Sequence, residues 1–371
     1  MPALSMLIKP ASGRCNLSCR YCFYRDVAQH RIQPDYGVMS RETAQTLIRK
    51  ALSRAEGSCS FCFQGGEPTL AGLDFYRFFV KCVRRYNGRG LRVEYAIQTN
   101  GVLLDEEWGS FLRENRFLVG LSLDGSRELH DRFRKSGDGR GSFDQAMAAA
   151  GILRHFSVPF NILAVVTERS AARAEETYRF FRENEFWYQQ YIPCIDPFDG
   201  AEEGISLSGE GYGTFLKNLF DLWYEDVIRG VPVSVRYFEN LMMILRRMKP
   251  ECCGMTGGCM VQYVVEADGG VYPCDFYVTD PYRLGNITVH SFPELESARS
   301  PLCFDGRAPL GECRRCRYLP LCRGGCRRDR ETASGRIGEN RWCKAYQEFF
   351  DYALPRMKHL AGLLARAGNR R

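Results

Sequence analysis

Three cysteines near the amino terminus constrain this chain more than any other feature. Cys15, Cys19 and Cys22 stand in C-x3-C-x2-C spacing, in the loop that follows the first apolar run, Leu4 to Ile8. Three thiolates are one short of a closed four-coordinate site. A four-iron four-sulfur cube held by three cysteines keeps one iron open, and that iron can chelate a small molecule through its amine and carboxylate. The other reading of the same residues is a zinc knot completed by a histidine. The nearest histidine is His30, and zinc sites favour C-x2-C pairs.

Seventeen cysteines in a chain of 371 residues with no signal peptide at its start point to metal rather than to disulfides. The length exceeds the usual single core, so one large domain with a smaller appendage is expected. The hydrophobic fraction of 45% and charged fraction of 26% are those of a globular protein, which argues against a disordered or fibrous chain. Lysine and arginine number 51 against 44 acidic residues, and part of the excess collects at Arg314, Arg315, Arg317, Arg323, Arg327 and Arg328. Such a cluster reads as a solvated basic face, not a nucleic-acid site. No apolar run approaches the ~20 residues that cross a bilayer. A cytoplasmic protein with neither membrane nor nucleic-acid partner is expected.

Six β-rich runs alternate with helical patterns in the first half: Leu4 to Ile8, Cys59 to Gln64, Glu94 to Thr99, Phe117 to Leu123, Phe160 to Val166 and Phe186 to Ile192. Between the first two, Ser40 is placed to cap a helix whose Leu47, Ile48, Ala51 and Leu52 recur on one face. Repeated strand-helix units suggest a parallel partial barrel, with ligands gathered at the carboxyl ends of the strands. The pattern stops near Arg236. A helical segment to Met248 is followed by Cys-dense, Gly-rich sequence, in which VQYVVEADGGVYPC reads as a hairpin turning at Asp268 and Gly269. A helical pattern resumes from Lys344 to Arg366, with Pro355 as a kink. The expected division is a barrel over 1–235, a small Cys-rich domain over 236–343 and a carboxyl-terminal helix over 344–371.

Two further groups of residues carry chemistry. Gln64-Gly65-Gly66-Glu67-Pro68 ends the second β-rich run; its glycines allow close backbone approach, and Glu67 can accept from a ligand ammonium. Toward the carboxyl end, Cys253, Cys259, Cys274, Cys313, Cys316, Cys322, Cys326 and Cys343 supply eight thiolates. Eight divide into two closed four-cysteine sites, which are either electron-transfer clusters or zinc sites. Cys59, Cys62, Cys82, Cys194 and Cys303 fall outside these patterns and read as buried apolar thiols.

The C-x3-C-x2-C loop, with aromatic Tyr21 before its third cysteine, followed by the Gly-Gly-Glu-Pro turn, resembles the radical S-adenosylmethionine superfamily. That resemblance implies an α/β fold with a partial (β/α)6 TIM-like barrel. It also implies reductive cleavage of S-adenosylmethionine to methionine and a 5′-deoxyadenosyl radical. The later cysteines resemble a SPASM domain, which implies one auxiliary cluster on Cys253, Cys259, Cys274 and Cys326 and another on Cys313, Cys316, Cys322 and Cys343; Cys252 beside Cys253 leaves the first ligand open. Over essentially the whole chain, IKPASGRCNLSCRYCFY, CFQGGEPTLAG, QTNG at Gln98 to Gly101, FLVGLSLDG at Phe117 to Gly125 and VYPCDFYV resemble the anaerobic sulfatase-maturating enzymes.

For this family the resemblance implies three 4Fe-4S clusters, S-adenosyl-L-methionine, and oxidation of a cysteine or serine of a sulfatase to Cα-formylglycine. The substrate would be an unfolded or peptide-like segment with a C/S-x-P-x-R type motif, and the reductant a flavodoxin or ferredoxin. Contacts to S-adenosylmethionine carry over to Tyr21, Gly66, Ser122, Arg134 and Ile195, with Glu67 as a further candidate. Asp275, in the Cys-Asp-Phe-Tyr segment, carries over as the base, its side chain pointed opposite to Cys274 by strand alternation. Read without the family, Asp275 is a solvated or capping aspartate, and Arg134 one member of a basic face with Arg132 and Lys135.

Two other readings stay open on sequence. A SPASM-type maturase that forms a thioether or other crosslink in a ribosomal peptide shares the clusters, but such enzymes often carry an added amino-terminal peptide-binding domain, whereas here the first strand begins at Leu4. A non-catalytic iron-sulfur or zinc scaffold would have no use for an open three-cysteine site beside Gly-Gly-Glu-Pro.

Overall fold

In the computed structural model, which describes residues 3–198, 200, 202, 204–299, 302, 311–331 and 335–368, every one of the six β-rich runs forms a strand. Cys303 lies outside the described residues. The strands are β1 Leu4–Ile8, β2 Ser58–Phe63, β3 Arg92–Thr99, β4 Phe117–Ser122, β5 Phe160–Val166 and β6 Tyr188–Pro193. Ser40 caps the helix Arg41–Arg54, its side chain accepting from Thr43 N at 3.1 Å, and Leu47, Ile48, Ala51 and Leu52 are the buried face. Four shorter strands complete the set: β7 Ser234–Val235, β8 Tyr263–Val265, β9 Gly270–Tyr272 and β10 Gly285–Asn286. No described helix is long and apolar enough to cross a membrane.

The chain divides into two compact units. The first takes residues 1–123, 127–162 and 261–303, with strands in the order β10-β9-β8-β1-β2-β3-β4. From β1 to β4 the pairing is parallel, with Ile8 opposite Phe63 and Ile97 opposite Val119. Phe63 packs edge-on against Tyr76 and Phe79 at 4.9 and 5.0 Å, so the helix Leu73–Tyr86 is held to the sheet by aromatic contacts.

The hairpin forms where the sequence places it. β8 and β9 pair antiparallel, Gly269 takes φ +87° at the turn, and Gly270 N donates to Asp268 Oδ1 at 2.8 Å. β8 also pairs parallel with β1, Ile8 opposite Val265, and Lys9 N continues the ladder to Val265 O at 2.8 Å. This pairing sets the start of the hairpin turn, at Glu266, beside Lys9 at the carboxyl end of β1, from which the loop with the first three cysteines departs.

The second unit takes residues 124–126, 163–260 and 304–371, with strand order β5-β6-β7, β5 starting just before the division. The helix Gly209–Ile228 packs on the terminal helix Cys343–Gly368, which runs through Pro355 as one element. Close approach is possible because Gly213 has no side chain: a Cβ there would sit 3.4 Å from Ala345 Cα. Phe220 and Phe238 close the contact on Phe349 at 5.9 and 5.8 Å.

Candidate active site

The loop carrying Cys15, Cys19 and Cys22 is held on two sides by backbone hydrogen bonds. On one side the Gly-Gly-Glu turn docks: Gly66 N donates to Ser12 O at 3.0 Å and Glu67 N to Arg14 O at 2.7 Å. The approach is so close that a Cβ on Gly66 would lie 1.9 Å from Arg14 O. On the other side Ser18 N donates to Lys135 O at 2.6 Å and Arg20 N to Phe133 O at 3.1 Å. Cys22 N closes the loop on Cys19 O at 3.2 Å. Burial pushes the Cys15 thiol up to about 11, against the Leu17 N–H that donates to its sulfur at 3.4 Å. A thiol so placed ionises in exchange for a cation, and three cysteine sulfurs on one loop fit an iron cluster with an open corner.

Glu67 is 1% exposed, and its carboxylate is occupied from within the protein. Oε1 accepts from Thr69 N at 3.1 Å, Thr69 Oγ at 2.6 Å and Thr99 Oγ at 2.7 Å, while Oε2 accepts from Asn100 N at 2.8 Å. Burial raises the pKa of this carboxyl despite those four donors. Its first role is therefore to tie the turn to the end of β3, and a ligand ammonium could approach only Oε2.

Tyr21 and Arg134 come together, the guanidinium lying 5.4 Å from the Tyr21 ring centre. Arg134 is 8% exposed, so it is not part of a solvated basic face with Arg132 and Lys135. Its burial follows from the segment it ends: Arg134 N bonds His130 O at 2.9 Å, Ser142 Oγ donates to Arg134 O at 2.9 Å, and the next residue pairs with the cysteine loop. Ser122 is buried at the last position of β4. Ile195 is half-buried in the second unit, two residues beyond the end of β6.

Asp275 departs from the geometry read from sequence. β9 ends at Tyr272, Cys274 is extended, and Asp275–Tyr277 is a 3-10 turn closed by Tyr277 N on Cys274 O at 3.1 Å. Strand alternation therefore does not aim its side chain; the turn does, because the ladder with β8 has already run out. Nor is Asp275 solvated, at 9% exposure. Tyr24 OH, two residues past Cys22, donates to Oδ2 at 2.5 Å. Oδ1 is buried and has no donor closer than Lys9 Nζ at 3.5 Å. Burial drives the Asp275 pKa up, and Lys9 leads the influences that oppose it.

Sequence reasoning did not single out the partners of Asp275. Lys9 is 2% exposed at the end of β1, 3.5 Å from Asp275 and 3.8 Å from Glu266, and 4.6 Å above the Tyr24 ring. Glu266, fully buried, also accepts from Arg31 at 2.8 Å. A signal was available: Lys9 and Glu266 directly follow the apolar runs LSMLI and YVV, where a charge has no solvent to face.

In the second unit burial pushes the Cys322 thiol up, with Cys313 and Cys316 adding to it, and burial pushes the Cys343 thiol up to about 12, with Glu339 and Cys322 adding to it. The backbone at Gly254 lies against Cys326, where a Cβ would sit 3.4 Å from that of Cys326. The adjacent cysteines differ: Cys253 Sγ accepts from Met260 N at 3.4 Å, whereas Cys252 feels the Arg236 guanidinium and its backbone is tied to Asn240 at 3.0 Å. Cys274 stands in the first unit beside Asp275. Among the described residues, no three cysteine, histidine or carboxylate side chains converge on a single-ion site. Cys59, Cys82 and Cys194 are buried and Cys62 is half-buried.

Comparison with known proteins agrees with this arrangement. Residues 10–181 match the radical SAM superfamily, and residues 253–317 match an iron-sulfur cluster-binding domain. The chain is 45% identical to a cysteine-type anaerobic sulfatase-maturating enzyme of Clostridium perfringens (strain 13 / Type A), over 97% of this chain and 99% of the relative. It is 31% identical to a serine-type anaerobic sulfatase-maturating enzyme of Bacteroides thetaiotaomicron, over 95% of this chain and 90% of the relative. A solved structure described as native anSMEcpe with bound AdoMet and Cp18Cys peptide superposes with a TM-score of 0.92 at 43% identity, covering 98% of this chain and 100% of that one. With similarity running along nearly its whole length, and with a partial (β/α)6 barrel core followed by a SPASM region, the chain belongs to the anaerobic sulfatase-maturating enzymes of the radical S-adenosylmethionine superfamily.

Proposed function

We propose that this enzyme oxidises a cysteine in a peptide-like segment of a sulfatase to Cα-formylglycine, with Asp275 as the base. The preference for cysteine rests on the identities, 45% to the cysteine-type relative against 31% to the serine-type one. Cys15, Cys19 and Cys22 hold the open cluster. Cys253, Cys259, Cys274 and Cys326 hold one closed cluster, and Cys313, Cys316, Cys322 and Cys343 the other. Cys253 is preferred to Cys252 because its sulfur accepts from the N–H of Met260, the residue directly after Cys259. When bound, S-adenosylmethionine and the clusters supply the radical that removes one hydrogen from the substrate Cβ and the acceptor for the remaining electron.

The protein's part is to place the substrate side chain and take its proton. The observation that carries the reading is Asp275 Oδ1, buried, anchored next to Cys274 and lacking a close donor, while Tyr24 fixes Oδ2 at 2.5 Å. An acceptor held that way, with only the Lys9 ammonium at 3.5 Å, can take the thiol proton of a substrate. Tyr21, Gly66, Ser122, Arg134 and Ile195 bind S-adenosylmethionine, with Glu67 offering Oε2. Residues 1–235 act as the barrel, 236–343 as the SPASM domain and 344–371 as the terminal helix. The reductant is a flavodoxin or ferredoxin, the substrate motif is C/S-x-P-x-R, and the setting is the cytoplasm.

The test incubates the reduced enzyme with S-adenosylmethionine and a C-x-P-x-R peptide, then weighs the peptide. A mass matching the aldehyde is expected. An unchanged peptide beside abundant 5′-deoxyadenosine would refute the activity. Asp275→Asn is expected to bind S-adenosylmethionine normally and to lose formylglycine formation; normal product from it would refute the base.

A further inference from the structure

We infer that the side-chain amide of Asn100 is a hydrogen-bond donor to the sulfur of Cys15 and so sets the reduction potential of the open cluster, a positioning and tuning role that rests on the assignment of Cys15, Cys19 and Cys22 to that cluster. Asn100 follows β3 in the Gln-Thr-Asn-Gly segment and is 8% exposed. Its Nδ2 lies 3.8 Å from Cys15 Sγ, within reach for a sulfur acceptor, and 2.8 Å from Asn16 Oδ1. Its position is fixed independently. Asn100 N donates to Glu67 Oε2 at 2.8 Å, and Glu67 N donates to Arg14 O at 2.7 Å, one residue before Cys15. Cys15, Glu67 and Asn100 thus lie in one ring of contacts, and the amide itself is held by Asn16 Oδ1 and Val102 N, so it cannot turn from the sulfur without breaking those two bonds.

An asparagine before a glycine is ordinarily just a turn residue, and part of this side chain serves that purpose. Asn100 Oδ1 accepts from Val102 N at 3.0 Å, and Gly101 takes φ +81°. That explains the carbonyl half of the amide only. An aspartate or serine would close the same turn, so the N–H half, which faces Cys15 and Asn16, is left for another purpose. Donors to cluster sulfurs stabilise the more negative, reduced state and raise the potential. Leu17 N, at 3.4 Å from the same sulfur, supplies one such donor from the backbone; Asn100 supplies a second, and it alone can be removed by substitution.

The experiment is an EPR-monitored redox titration of the anaerobically reconstituted holoenzyme, following the reduced-cluster signal that changes when S-adenosylmethionine is added. Only a cluster with an open iron responds to that ligand. Asn100→Ser keeps a turn-closing oxygen but is too short to reach Cys15. We expect the reduced-to-oxidised ratio of the responsive cluster at fixed solution potential to fall on the order of tenfold, ~59 mV for one electron. Should Asn100→Ser not fold, Asn100→Asp preserves the shape while replacing the donor with a carboxylate, and its potential should fall further. A responsive signal with the wild-type potential in the variant that folds would overturn the role of Asn100. A wild-type enzyme with no responsive signal would instead overturn the cluster assignment beneath it.

Discussion

Replacing Gly66 with alanine adds one methyl group at the point where the two amino-terminal motifs touch. The new Cβ would lie 1.9 Å from Arg14 O, 2.5 Å from Arg14 C and 2.7 Å from Gly13 C, all backbone atoms that cannot rotate aside. The turn must therefore move until the nearest contact opens from 1.9 Å to at least 3.0 Å. A displacement of that size takes the Glu67 N–H bond to Arg14 O, now 2.7 Å, out of reach, and strains the one from Gly66 N to Ser12 O, now 3.0 Å. The lost hydrogen bond costs about 1 kcal/mol, and overpacking adds about 1–3 kcal/mol, for a total of about 2–4 kcal/mol. At about 2–4 °C per kcal/mol for a unit of this size, the melting temperature should drop by roughly 10 °C. Circular dichroism melts of the apoprotein measure that fall, and equilibrium dialysis of S-adenosylmethionine against reconstituted enzyme measures the accompanying loss of binding. A Gly66→Ala protein that melts with the wild type would show that the turn and the cysteine loop are not clamped as described.

Lys9→Met removes the leading influence that holds down the Asp275 pKa, which burial already raises. The ionised carboxylate is the active form of a base, so activity is lost as pH falls through its pKa; raising that pKa moves the acid limb of the kcat profile to higher pH. An acid limb unchanged in Lys9→Met would dismiss the coupling. Cys343→Ala, in the set that also includes Cys313, Cys316 and Cys322, should reduce the iron content from about twelve to about eight per chain, with the S-adenosylmethionine-responsive cluster retained. Iron and sulfide analysis of anaerobically reconstituted protein decides it, and an undiminished iron count would remove Cys343 from the ligand set.

The strands were legible because each is a short run of branched and aromatic residues bounded by turn formers, and all six begin and end within about two residues of their expected limits. β7, two residues long, has no period to read. The hairpin turn was legible from Asp268 and Gly269, but its pairing with β1 was not, since nothing local in either segment specifies a partner so distant in sequence. The same reasoning separates the site residues. Motif spacing marks Cys15, Gly66 and Glu67, whereas the surroundings of Arg134 and the turn that aims Asp275 depend on which elements meet. Local periodicity implied a strand at Asp275; the end of the β8–β9 ladder at Tyr272 overruled it.

The chain of buried charges beside Asp275 is difficult to explain as a device for stability. Asp275, Lys9, Glu266 and Arg31 alternate in sign, and each is at most 9% exposed. Exchanging a buried ion pair for apolar residues of similar volume is often neutral or stabilising, because desolvation offsets the Coulombic gain. Apolar packing, however, cannot hold a carboxylate in the ionised form with one oxygen short of donors. Lys9 can do so only if it is itself kept in place, and Glu266, clamped by Arg31 at 2.8 Å, provides the countercharge on its far side. Truncating Glu266 should therefore act on the proposed base in two opposed ways, by loosening Lys9 and by removing a negative charge that itself raises the Asp275 pKa. On the proposed role of Asp275, the arrangement exchanges some stability for an oxygen atom left available beside Lys9.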